Sequence, residues 1–268
     1  MPKAKKKPVR LRAIALPREH GAWGFLFEPL VAAVAVAPSV GAVAICLVYI
    51  GAFLVRQPLR IFISDLKGQR KLPQTAHAFR FICFYGSFIT FGLLGSMATG
   101  SIRHFSPMLL VLPLVVYQVY CDISHKSREL IPELTGSVAI TSSAAVIALT
   151  AGWEASSAAA LWGVLICRLI PSILYVRNRL RLEKGKHYSR SWVGISNLAA
   201  IVVVGGLAQY GLASGITVVV FVILLTRAMF GLSSYRQKRV KAMVIGLWEV
   251  FYGLLTVLSI ILGYYLSI

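Results

Sequence analysis

Apolar residues along this chain come in long, nearly unbroken runs. They cover residues 21–38, 40–56, 80–99, 106–121, 133–152, 155–176, 192–209, 212–230 and 241–266. Most runs hold about 17–25 residues, the length an α-helix needs to cross roughly 30 Å of hydrocarbon. In lipid every backbone N–H and C=O must be satisfied within the segment or a closed barrel, so runs of this length are helices. The pattern predicts an all-α, polytopic transmembrane bundle of about nine helices. Residues 1–16 are basic and lack such a run, which predicts a flexible tail. Residues 17–268 then form one membrane domain with no soluble appendage.

Composition sharpens this picture. A 268-residue chain that is 57% hydrophobic, with a mean hydropathy of +0.75, has too little polar surface for a water-soluble domain. The formal net charge of +19 could suggest a nucleic-acid partner. The charge instead sits in short loops between apolar runs, so no nucleic acid is expected. Threaded through nine helices, the 28 Lys and Arg residues fall on one side of the membrane, except Arg103 and the intramembrane Arg168. Basic loops stay cytoplasmic, which predicts an N-terminus inside, a C-terminus outside and contact with anionic lipids. Glu28 and Pro29 interrupt the first run, so it does not read as a cleavable signal peptide. The four cysteines form no CxxC pair and no Cys/His cluster with zinc spacing. No haem, nucleotide or metal motif is present, and the reading is of a chain without cofactor.

Ionisable side chains within a bilayer are costly and usually face a cavity or a partner. Glu28 lies about two turns into the first helix, Arg168 within the sixth, Arg227 near the end of the eighth and Glu249 about two turns into the ninth. Arg56 and Arg60 share a helix face, as do Arg177 and Arg181, because residues four apart are neighbours on a helix. Either each arginine reaches for the headgroups and each acid pairs with one of them, or they line one cytoplasm-facing polar cavity. In the second case Arg18, Arg56, Arg60, Arg168, Arg177, Arg179, Arg181 and Lys184 are candidate anion-binding residues, since guanidinium pairs grip phosphate with parallel hydrogen bonds. The stretch Leu16-Pro17-Arg18-Glu19-His20-Gly21 sets a histidine beside an acid at a helix start. A histidine can move protons near neutral pH, so His20, with Glu28 and Glu249, is a candidate for proton handling.

The segment PREHGAWGFLFEPL resembles the opening of the YwiC-like family of bacterial integral membrane proteins, and RLIPSILYVRNRLRLEKGK fits the same family. The resemblance extends from about residue 16 to 266 and implies a multi-pass protein of the bacterial cytoplasmic membrane. More distantly, nine helices with the richest loops after the second and sixth resemble the UbiA superfamily of intramembrane prenyltransferases. Members carry NDxxDxxxD and DxxxxxxD-type motifs in those loops, whose aspartates hold Mg²⁺ against an isoprenoid diphosphate. Here the first motif falls on Arg56, Gln57, Arg60 and Ser64, with Asp65 one position off. The second falls on Ser172, Arg179 and Glu183, with Tyr175-Val176 in the place of its Tyr-Ala pair. Arginines stand where acids are expected, so no metal site is expected. An arginine can itself occupy the place of the metal and bind phosphate oxygens. The resemblance thus implies a UbiA-like site for an anionic or diphosphate-bearing, isoprenoid-like lipid, with a prenyltransferase-like activity as one version. A transporter of a small or amphipathic anion and a non-catalytic membrane partner are the alternatives. Pro29, Pro113 and Pro171 suit the broken helices of the transporter. Thr135, Ser137, Thr141, Ser142, Ser143 and Thr150 suit either a polar path or tight helix packing.

Overall fold

The computed structural model describes residues 11–17, 20–69, 72–124, 126, 129–233 and 239–267, with backbone only for His20 and Ala22. These residues form α1 (Leu11–Ala15), α2 (His20–Val36), α3 (Val40–Lys67), α4 (Pro73–Thr99), a 3₁₀ turn (Ile102–Phe105), α5 (Ser106–Ile123), α6 (Leu130–Thr150), α7 (Ala155–Glu183), α8 (Arg190–Gln209), α9 (Gly215–Gly231) and α10 (Ala242–Leu266). There is no strand among the described residues. Each of the nine apolar runs is one helix, α2 to α10. Seven helical segments are long and apolar enough to cross a membrane, and α9 and the Trp23–Val36 part of α2 are shorter apolar helices. The chain is therefore a multi-pass helical protein.

Local chemistry sets the helix ends. Ser39 caps α3 by accepting from the Ala42 N–H at 3.0 Å, and Ser189 and Ser214 cap α8 and α9 in the same manner. Pro73 opens α4 at a position where its missing N–H costs nothing. Two helices outrun their apolar stretches. Helix α3 continues eleven residues past residue 56, to Lys67, and α7 runs on from residue 176 to Glu183. The α7 extension, Arg177 to Glu183, is mostly Arg, Leu and Glu, good helix formers. Gly68 closes the first, and Gly185, with φ +64°, follows the end of the second. The stretches read from sequence as basic loops are thus largely helix.

Helices α3 to α6 pack as one group and α7 to α10 as another. Helix α2 lies between them, against α6 and α10. Helix α6 is the most enclosed, with Thr141 to Ala148 buried throughout. Two of its hydroxyls are tied into the packing. Thr141 donates to Val138 O and Ser142 to Ala139 O within the helix, while Ser142 meets Tyr49 Oη at 2.7 Å and Trp162 donates to Thr141. Large apolar side chains such as Phe91, Leu110, Val202 and Leu247 face outward, as lipid-facing positions do. The expected tail differs in its last residues. Ile14 of α1 is buried, Gln57 donates to Ala13 O and Tyr85 to Ala15 O, so Leu11–Ala15 is packed helix rather than flexible tail.

Candidate functional site

The basic ends of the helices enclose a cavity of about 590 Å³. Its wall brings together Gly21, Gly24, Phe25 and Glu28 from α2, Phe53 and Arg56 from α3, and Gln118 from α5. Helix α6 adds Glu133, Gly136, Ser137 and Ile140, and α10 adds Gly246, Glu249 and Val250. Helix α7 supplies the longest strip, from Ser172 to Lys184, including Ile173, Val176, Arg177 and Arg181. Arg56 of α3 and the end of α7 therefore border one space.

Each wall arginine with a described partner is held by an acid from another helix. Arg56 donates Nε and Nη2 to Asp122 at 2.9 and 3.1 Å, and Gln118 supports the same carboxylate at 3.1 Å. Arg177 pairs with Glu133. Such bidentate and bridging contacts fix a guanidinium in place. Arg181 and Lys184 are exposed on the wall. Gln118 is 5% exposed, and its Oε1 has no hydrogen-bond partner among the described residues.

Below the arginines lies a buried charge cluster. Arg168 is 2% exposed. Its Nη2 donates to Glu249 O at 3.2 Å and lies 3.8 Å from Glu28 Oε1 and 3.7 Å from Glu249 Oε2. Glu249 also accepts from Ser172 and pairs with Arg227. The Arg227 guanidinium sits 4.1 Å from the Tyr175 ring centroid and 4.6 Å from that of Tyr252, where cation–π attraction offsets part of its desolvation. Gly253 permits the arrangement, because a Cβ there would overlap the Glu28 carboxyl group. Of the candidates for proton handling, Glu28 and Glu249 thus meet in this cluster and both reach the cavity wall.

The other candidates separate. Arg60 is not on the wall; it donates to Gln57 of its own helix at 2.9 Å. Arg179, 1% exposed, turns away to pair with Glu183 and donate to Gly231 O at the end of α9. Arg168 is enclosed behind the wall. Asp65, one position off the first motif, accepts from Gln74 and Thr75 at the start of α4. Arg18 and the His20 side chain lie outside the described residues. Asp122, Glu133 and Gln118 were not singled out by sequence reasoning. The signal was available: only nine Asp and Glu residues accompany 28 basic ones, so an acid retained at the basic helix ends is best placed beside an arginine. Among the described residues no three His, Cys, Asp or Glu side chains are grouped to hold a metal ion.

No curated protein and no solved structure matches the chain. The resemblance read from sequence to residue 266 is matched over its first half, which includes PREHGAWGFLFEPL and stops before α7. The model of the YwiC-like protein family matches residues 16–148, from the turn after α1 to the last turn of α6.

Proposed function

We propose that the cavity binds an amphipathic anion, a phosphate- or diphosphate-bearing lipid of isoprenoid type, from the cytoplasmic side. Arg56, Arg177, Arg181 and Lys184 hold the head group. Phe25, Phe53, Ile140, Ile173, Val176 and Val250 receive the chain. The observation that carries this reading is that basic side chains from α3 and α7 border one largely apolar space of a size suited to a small lipid. A guanidinium has five N–H donors, and Arg56 gives only Nε and Nη2 to Asp122, so donors remain for a second anion. The cytoplasmic orientation follows from the concentration of Lys and Arg at this end. The UbiA-like version adds that arginines take the metal's place. In a prenyltransferase-like reaction the same arginines would stabilise the departing diphosphate.

The test is binding of farnesyl diphosphate to the purified protein in detergent, with Mg²⁺ and with chelator. Equal binding in both is expected. Arg177→Ala or Arg181→Ala is expected to weaken it by roughly ten- to a hundredfold, the worth of one charge-assisted hydrogen bond. Binding that requires Mg²⁺ would replace the arginine site by a metal site, and no binding in either condition would overturn the reading.

A further inference from the structure

A second cavity, of about 800 Å³, opens at the opposite end of the bundle. Its polar wall residues include Glu154, Ser157, Gln209, Ser214, Thr217 and Ser267, and no Lys or Arg is among its lining residues. Helices α2, α7 and α10 wall both cavities. Between the two linings α2 runs from Glu28 to Val36, α7 from Val164 to Ser172 and α10 from Val250 to Ile260. At 1.5 Å per residue these intervals are about 12, 12 and 15 Å, so the partition is at most about half of the hydrocarbon thickness.

The partition holds a buried charge. Arg168 is its charged residue, and Arg168 Nε has no hydrogen-bond partner among the described residues. Its ion pairs, at 3.7 and 3.8 Å, are longer than charge-assisted hydrogen bonds. A buried guanidinium with an unused donor can bond an anion that reaches it. Pro29 and Pro171 lie inside α2 and α7 at its basic edge, where each removes a backbone hydrogen bond and so weakens the helix locally. On the far side buried hydroxyls step inward: Ser259 donates to Thr217 at 3.4 Å and to Thr256 O at 2.7 Å. Thr256 is one turn from Gly253, against which Glu28 lies.

We propose that the two cavities are the ends of one path and that the protein exchanges its anion across the membrane. The layer Glu28–Arg168–Glu249 is the closed gate. An anion leaving the basic cavity takes the place of the two carboxylates on Arg168, and α2 and α7 bend at Pro29 and Pro171 to admit it to the second cavity. This rests on the anion-binding reading above.

The test pairs two measurements on the full chain with one probe, geranyl diphosphate: equilibrium binding in detergent, and uptake of labelled probe by proteoliposomes preloaded with unlabelled probe. Uptake well above that of protein-free vesicles is expected, with complete loss in Arg168→Gln. Pro171→Ala, which keeps every charge, is expected to slow uptake several-fold with binding intact. Binding without uptake above protein-free vesicles would overturn the path and leave the binding site standing. Uptake unchanged in both variants would overturn the gate. Absence of binding would overturn the anion site and the path with it.

Discussion

At the scale of single residues, the basic side chains divide into those that hold the protein together and those that face the cavity. Arg179 is enclosed between α7 and α9, and its partner Glu183 also accepts from Val240 N. Removing one member of a buried pair leaves the other charge uncompensated. Arg179→Ala is therefore expected to cost about 3–5 kcal/mol, read as a clear fall in thermal midpoint in detergent. Arg181, exposed on the cavity wall, has no such debt. Arg181→Ala is expected to change stability by less than about 0.5 kcal/mol while weakening binding of farnesyl diphosphate. Equal midpoints for the two variants would show that the buried pair is not structural. Asp122→Ala belongs with this pair, because it releases Arg56 from its orientation. It is expected to lower diphosphate affinity by roughly tenfold, as loss of a positioning hydrogen bond does, although Asp122 itself is not on the wall.

At the scale of helices, the site depends on how closely α2 and α10 approach. Gly253 and Gly246 lie two turns apart on α10 and differ in their surroundings. A side chain at Gly253 would run into Glu28, whereas nothing lies within 4 Å of a Cβ at Gly246, which borders the cavity. Gly253→Leu is expected to push the two helices apart at about 1–3 kcal/mol, the usual cost of overpacking. Gly246→Leu is expected to leave the thermal midpoint unchanged and to block farnesyl diphosphate by filling its place. A fall in midpoint for Gly246→Leu as large as for Gly253→Leu would contradict the difference in space. The overhanging ends of α3 and α7 matter at the same scale. As helix rather than loop, the end of α7 holds Arg177 and Arg181 at fixed angles to the cavity, which a solvated loop would not do, and α3 runs on past Arg56 rather than ending there.

At the scale of the whole molecule, the charge distribution predicts the orientation. A fluorescent protein fused after Gly185 is expected to fluoresce in the cytoplasm, and alkaline phosphatase fused after Gly152 is expected to be active outside. The reverse pattern would place the basic cavity on the outer face. The nine apolar helices were legible from the sequence because the bilayer imposes a minimum apolar length, and each such run is a helix, seven of them in segments long and apolar enough to cross a membrane. Helix ends were less legible where polar, helix-favouring residues carried α3 and α7 beyond the apolar stretch. The residues Arg56, Arg177, Glu28 and Glu249 could be marked from their charge alone, since charge near a helix centre is costly wherever it points. Their grouping could not, because residues more than a hundred positions apart meet only through helix packing. Spacing of four on one helix paired Arg177 with Arg181, and both border the cavity, whereas Arg179, two positions from Arg177, is turned into the core by the packing of α7 against α9. That the chain spans a membrane many times and carries its charge at one end is written in its residues alone, because lipid excludes charge and demands helices. Only the tertiary structure decided which acid holds which arginine and where the two cavities lie, because those depend on how the helices turn their faces to one another.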